Sequence, residues 1–239
     1  MKTEKHFEDM PPEEFRKYGK ELIDWTANYL NGIEKYPVLP DVKPGEIKSK
    51  LPKSVPEESE PMENILADVD KVILPGVTHW QHPNFMAYFN STASGPGILG
   101  ELLSAAFNTN GMVWKSCPSL TELEETVLIW FRQLMNLPEN FSGIIYDTAS
   151  VSSMHAIAAA RENLNLGIRE KGMSGIPKLR LYCSEHAHSS IEKGALTLGI
   201  GLDGVTKIPV DTEFKMIPAE LDKAIQRDKA NGIIPFCVV

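Results

Sequence analysis

Residues 178–199 read KLRLYCSEHAHSSIEKGALTLG. Lys178 to Cys183 is a short apolar run of strand length, and a helix follows over residues 187–199. The same succession recurs downstream. VTKIPV (205–210) reads as a strand, IPAELDKAIQRDKANG (217–232) as an amphipathic helix ending at Asn231-Gly232, and IIPFCVV (233–239) as a strand apolar at every position. Upstream, GIIYDTAS (143–150) is a strand-like run leading into the helix VSSMHAIAAARENL (151–164). Strands that alternate with helices, with runs apolar on both faces, predict an α/β fold: a mostly parallel sheet flanked by helices.

Ligands of open α/β sheets bind at the carboxyl ends of the strands. The strand from Lys178 would deliver His186 and His188 to that edge. One imidazole there could lie flat on a planar cofactor ring and act as an acid near neutral pH. A metal pair is a second reading, but no third His, Cys or Asp stands at a helpful spacing. An ordinary exposed helix start remains the commonest reading of such spacing.

Thr148-Ala149-Ser150 stands where a strand-like run gives way to a helix. The first N–H groups of a helix have no internal partner and carry partial positive charge, so this turn could hold a phosphate, with hydroxyls from Thr148 and Ser150 adding donors. On spacing alone, plain capping by Thr or Ser is the commoner reading. There is no Walker glycine loop, GxGxxG or GxSxG, which argues against nucleoside triphosphates, dinucleotides and a serine-hydrolase elbow.

From residue 76 the chain is aromatic and irregular: HWQHPNFMAYFNSTASGPG brings Trp80, Phe85, Tyr88 and Phe89 together. Such a cluster is usually core and can also line a slot for an aromatic ligand. ILGELLSAAFN and CPSLTELEETVLIWFRQLMNLP read as helices, the second with a capping box between Ser119 and Glu122.

The N-terminal part is different. Residues 1–75 read as two helices joined by a strap. The first helix, PPEEFRKYGKELIDWTANYLNG, carries Phe15, Tyr18, Leu22, Trp25 and Tyr29 at helical spacing. The strap, residues 36–61, holds six prolines and few large apolar groups, so it is predicted to be extended linker. The stripe could pack on the chain's own core or on a second subunit.

Composition narrows the field further. A net charge of −8 argues against a nucleic-acid surface, which needs clustered Lys and Arg. Three dispersed cysteines, Cys117, Cys183 and Cys237, form neither a disulfide framework nor a zinc knuckle, so a reducing cytoplasm is expected. MKTEKHFEDMPPEEF has no apolar segment of the signal-peptide kind, and no run is long enough to span a bilayer. The chain stops inside a strand apolar on both faces, which leads us to expect a fragment or one piece of a nicked chain.

Taken in order, GVTHWQHPNFMAYFNSTASGPGILGELLS, WKSCPSLTELEETVLIWF, TASVSSMHAIAAAR, EHAHSSIEKGAL and RDKANGIIPFCVV resemble the group II pyridoxal-phosphate-dependent decarboxylases, most of all the aromatic-L-amino-acid decarboxylases. The resemblance runs over nearly the whole chain. It implies the type I, aspartate-aminotransferase-like fold and an obligate homodimer clasped by residues 1–75. Residues 76–239 would be the first part of the large domain that binds pyridoxal 5'-phosphate. It further implies that Thr148, Ala149 and Ser150 form the phosphate turn. His188 would stack on the cofactor ring and help position and protonate the reacting species. Trp80, Tyr88 and Phe89 would form an aromatic substrate slot, with Ser91 or Thr92 as a nearby hydroxyl and Met112 as a bulky residue contributed across the dimer.

Three departures are visible. Cys117 replaces the family's serine, Asn90-Ser91-Thr92 stands where the family has Pro-Thr, and Met112 is not the usual aromatic residue. The resemblance also implies that the lysine joined to the cofactor, and the aspartate paired with its ring nitrogen, come after residue 239 in a C-terminal segment or second chain. Neither Lys115 nor Lys193 lies in a matching motif, so the chain alone is expected to be inactive. The implied reaction is decarboxylation of an L-amino acid, of the tryptophan, tyrosine, phenylalanine or dihydroxyphenylalanine type, to the amine and carbon dioxide. Two alternatives stand beside it. One is a glutamate- or diaminobutyrate-type decarboxylase, disfavoured because an acidic substrate would call for a basic side chain in the slot. The other is a non-catalytic dimerisation fragment.

Overall fold

The structure is a computed structural model that describes residues 9–239. The start of the N-terminal stretch read as lacking a signal peptide, residues 1–8, lies outside the described residues. The chain divides into two compact units, Met1–Asn108 and Thr109–Val239.

In the first unit, helix α1 (Pro12–Asn31) begins with proline at its first position and has Glu13 and Glu14 in its first turn, where the helix dipole favours them. It ends at Gly32, whose N–H bonds to the carbonyls of Asn28 and Tyr29. The aromatic stripe of α1 is divided in its use. Tyr18 is buried, Trp25 Nε1 donates to Asp70 Oδ1 at 2.9 Å, and Tyr29 Oη lies 2.8 Å from His79 Nδ1. Phe15 and Leu22 are 62% and 46% exposed and face outward. His79 is buried against Tyr29 and Tyr36, and that burial, with His82 nearby, pushes its pKa below the ordinary histidine value.

The strap departs from expectation in one place. A short helix, α2 (Glu46–Lys50), interrupts it. Gly45 takes a left-handed conformation just before it, and Glu46 bonds both the Lys43 N–H and the Lys50 ammonium, so local polar bonds replace the missing apolar core. Helix α3 (Met62–Asp68) continues through a π turn, Val69–Ile73, and a 3₁₀ turn, Leu74–Gly76. Residues 77–94 are irregular, as the sequence indicated. Helix α4 (Gly95–Phe107) follows, capped by Ser94 Oγ, which accepts from the Gly97 N–H at 3.1 Å.

The second unit begins with α5 (Pro118–Leu134). The capping box expected from Ser119 and Glu122 does not form. The helix starts one residue before Ser119, with Cys117 at the cap and Pro118 at the first position, and the Glu122 carboxylate is taken by Trp114 Nε1 at 2.7 Å. The run GIIYDTAS is extended but forms no strand among the described residues. Its Ile145 N–H donates to Glu124 Oε1 at 2.9 Å instead of to a ladder.

Helix α6 (Ala149–Glu162) and the short α7 (Ile168–Lys171) lead to strand β1 (Leu179–Ser184). Then come α8 (Ser190–Thr197), β2 (Val205–Ile208), α9 (Pro218–Ala230) and β3 (Ile234–Val238). The three strands form a parallel sheet in the order β2-β1-β3. Leu181 pairs with Val205 on one side and Cys237 on the other, and the β1–β3 register shifts beside Pro235, a residue with no N–H to give the ladder.

Alternation along β1 explains the layers. Leu181 and Cys183 point to one face, where they pack with Ile157 of α6 and Ile191 of α8. Tyr182 points to the other, against Ile208 and Ala224 of α9. Tyr182 Oη donates to Asp228 Oδ2 at 2.8 Å, and Arg180 Nε approaches the same oxygen at 3.0 Å in an ion pair lying off the N–H axis. Burial, then Asp228, pushes the Tyr182 pKa up. This polar clamp fixes α9 to the central strand in an otherwise apolar layer.

All three cysteines are free, and burial raises the Cys183 and Cys237 thiols above their ordinary value. Among the described residues no helix is long and apolar enough to cross a membrane, and no group of three His, Cys, Asp or Glu is placed to hold a metal ion.

Candidate active site

Helices α6 and α8 lie side by side on one face of the sheet. Gly194 is the reason they come so close: a Cβ there would stand 3.3 Å from Ile157 Cδ1 and 3.5 Å from Met154 Cα. Further along, Arg161 Nη1 donates to the Leu198 carbonyl at 2.8 Å. Met154 meeting Gly194, and Arg161 meeting Leu198, mean that the two helices run in the same direction. Going back five residues from the Met154–Gly194 contact, about 7.5 Å at 1.5 Å per residue, reaches Ala149 in α6 and Ser189 at the cap of α8. The two N-termini are therefore level with each other, at the end of the sheet where β1 gives way to α8.

At the α6 terminus, Thr148 Oγ1 caps the helix by accepting from the Val151 N–H at 3.3 Å. The Ala149 and Ser150 N–H groups and the Ser150 hydroxyl have no partner among the described residues and are exposed. Capping by Thr148 thus leaves other donors of the same turn unused. One turn further on, His155 stacks on Tyr146 with ring centroids 4.4 Å apart, and its Nδ1 lies 2.9 Å from the Val151 carbonyl.

The connection from β1 to α8 is held at both ends. Glu185 N–H donates to the Ile208 carbonyl at 2.9 Å and its carboxylate accepts from the Val210 N–H at 3.1 Å, which ties the loop to the end of β2. His186 turns aside and meets Phe214 edge-on at 5.5 Å. His188 is exposed, and its Nδ1 lies 3.0 Å from Ser190 Oγ and 3.2 Å from the Ser190 backbone nitrogen. The two histidines of EHAHSS are separated in role by the turn itself.

In the first unit, Trp80 and Tyr88 stack nearly parallel, 3° and 5.3 Å apart, with Phe85 4.8 Å from Trp80. Tyr88 has φ 60°, a left-handed backbone uncommon for a bulky residue and held here by the stacking. Asn90 Nδ2 donates to the Trp80 carbonyl at 3.0 Å. Phe89, Ser91 and Thr92 are exposed and take no part in the stack. Met112, in the second unit, is 82% exposed, with its N–H on Asn110 Oδ1. Sequence reasoning gave Ser190 no role and named Asn90 only as a departure from the family pattern. The serine two residues after His188, at a helix start, was the available signal for the first.

A match to the description "Pyridoxal-dependent decarboxylase conserved domain" covers residues 44–239. The chain belongs to that family of pyridoxal-dependent decarboxylases. It is 41% identical over 235 residues to tyrosine decarboxylase 4 of Petroselinum crispum, covering 95% of this chain and 46% of that one. It is also 41% identical over 243 residues to aromatic-L-amino-acid decarboxylase of Mus musculus, covering 96% and 50%. The crystal structure of Catharanthus roseus tryptophan decarboxylase in complex with L-tryptophan superposes with a TM-score of 0.89 at 37% identity, over 97% of this chain and 51% of that one. The fold is accordingly that of the type I pyridoxal-phosphate enzymes. The chain spans about half the length of the relatives it matches.

Proposed function

We propose that this chain is part of a pyridoxal 5'-phosphate-dependent decarboxylase that acts on an aromatic L-amino acid and releases the amine and carbon dioxide. The observation that carries this reading is the level placement of the α6 and α8 N-termini, one offering unpartnered donors and the other an exposed imidazole. The residues present suit the cofactor. A phosphate dianion needs N–H donors at a positive helix end, which Ala149 and Ser150 provide with the Ser150 hydroxyl, while Thr148 keeps the turn in shape. A planar ring needs a flat neighbour, which His188 provides. When bound, pyridoxal 5'-phosphate supplies the sink for the electrons left as the carboxylate departs. The chain's contribution is to anchor the phosphate, hold the imidazole in place and orient the groups around them.

The stacked Trp80, Phe85 and Tyr88 support an aromatic substrate, with Phe89, Ser91 and Thr92 as further contacts and Met112 assigned to the slot of the partner subunit across the dimer. None of these residues is basic, as a glutamate-type substrate would require. In the first unit, an open apolar groove of about 680 Å³ lined by Phe15, Leu22, Ile23, Met62 and Leu102 supports residues 1–75 as the clasp of a homodimer. The lysine and aspartate of the complete site are assigned to a C-terminal segment or second chain. Three free thiols accord with a cytoplasmic setting.

The test is carbon dioxide release by the complete protein, with the C-terminal segment or second chain that carries the lysine and aspartate present and the cofactor bound, from L-tryptophan, L-tyrosine, L-phenylalanine, L-dihydroxyphenylalanine and L-glutamate. We expect kcat/KM for the best aromatic substrate to exceed that for glutamate by more than about 10²-fold. A preference for glutamate overturns the substrate assignment, and no release from any of the five overturns the proposal.

A further inference from the structure

We infer that Ser190 is a positioning residue that holds His188 as the Nε2–H tautomer, so that the imidazole serves its site as a hydrogen-bond donor. The inference rests on the reading of His188 given above and deepens it. The Ser190 backbone nitrogen, 3.2 Å from His188 Nδ1, can only donate. That N–H favours a lone pair on Nδ1, and the Ser190 hydroxyl, 3.0 Å from the same atom, strengthens the preference as a second donor.

The local structure explains why this arrangement persists. The first N–H groups of α8 have no acceptor inside the helix, and the cap residue, Ser189, makes no side-chain bond to them. The His188 ring takes the place of that cap. Ser190 is only 6% exposed, so its hydroxyl has little access to water as an alternative partner. A proton on Nδ1 would face an N–H directly and would sit at the positive end of the helix dipole. The hydrogen of the ring is left on Nε2, the nitrogen farther from α8. His155 shows the opposite arrangement: its Nδ1 faces a carbonyl, which can only accept, so that nitrogen carries the hydrogen.

A chemical consequence follows. A neutral imidazole with its hydrogen on Nε2 can stabilise negative charge through that N–H while keeping the proton, and it needs no relay through Nδ1. The group is then a dipole whose direction Ser190 fixes.

Nitrogen-15 spectra of the purified protein labelled at histidine test this, with the His188 signals assigned from their loss in His188→Phe. The expected result is a protonated, pyrrole-like Nε2 and an unprotonated, pyridine-like Nδ1. In Ser190→Ala, which retains the backbone N–H, the Nδ1–H form gains population. Loss of one neutral hydrogen bond to the ring lowers kcat by about three- to tenfold, with KM nearly unchanged, and Ser190→Thr restores both signals and rate. A proton on Nδ1 in the unaltered protein overturns the inference, as does a Ser190→Ala variant with unchanged spectrum and kcat. The underlying reading fails separately: full kcat in His188→Phe would remove any role for the imidazole, whatever its tautomer.

Discussion

On the proposed function, replacing His188 with phenylalanine in the complete enzyme lowers kcat for an aromatic substrate by about 10²- to 10³-fold, the usual effect of losing one donor aimed at developing charge. Phenylalanine keeps a flat ring at this position and removes both ring nitrogens, so stacking and hydrogen bonding are separated. The loss falls mainly on kcat, because the N–H matters most where charge develops. Stability should fall by about 0.5–2 kcal/mol, the cost of a lost helix cap, since the ring bonds Ser190 at the start of α8. Steady-state carbon dioxide release with a parallel melting curve makes the measurement. A drop below fivefold would show that the ring plane, and not the nitrogen, is what the site uses.

The second large effect concerns stability. Asp228 is 2% exposed, accepts from the Tyr182 hydroxyl and forms an ion pair with the Arg180 guanidinium. Asp228→Ala removes the acceptor and leaves a buried hydroxyl and a nearly buried cation unmatched, which costs about 3–5 kcal/mol. For a chain of this size that is a fall of roughly 6–20 °C in Tm. Asp228→Asn retains an acceptor for Tyr182 but loses the charge opposite Arg180, and should lie between the two. Chemical denaturation of the purified protein reads both. A cost below about 1 kcal/mol for the alanine variant would mean that α9 and β1 are held by apolar packing alone.

Much of the second unit was legible because its determinants are local and periodic. The apolar runs around Leu181, Thr206 and Phe236 marked parallel strands, and all three pair as parallel neighbours in the structure. Asn31-Gly32 and Asn231-Gly232 marked helix ends where helices do end. The failures have physical causes. Glu122 was read as closing a capping box, but an indole eight residues away competes for the same carboxylate. GIIYDTAS has strand composition, yet composition carries no information about whether a ladder partner lies alongside. The strap's composition lacks a core, but Glu46 and its two polar partners suffice for a single helical turn.

The site was legible in parts and not as an arrangement. The sequence identified Thr148-Ala149-Ser150 and His188 as separate helix starts, each with an ordinary explanation. Their common level depends on Gly194 admitting Met154 at close range, a contact between residues forty positions apart that no periodic pattern encodes. Ser190 was passed over for a similar reason. A serine at a helix start is commonplace, and its importance lies in the direction of one N–H toward Nδ1.

The most direct test of the central claim is a crystal structure of the purified protein loaded with pyridoxal 5'-phosphate. The account predicts the phosphate within hydrogen-bond distance of the Ala149 and Ser150 N–H groups and the His188 ring stacked over the pyridine. A phosphate bound away from the α6 N-terminus, or a pyridine ring with no contact to His188, would contradict it.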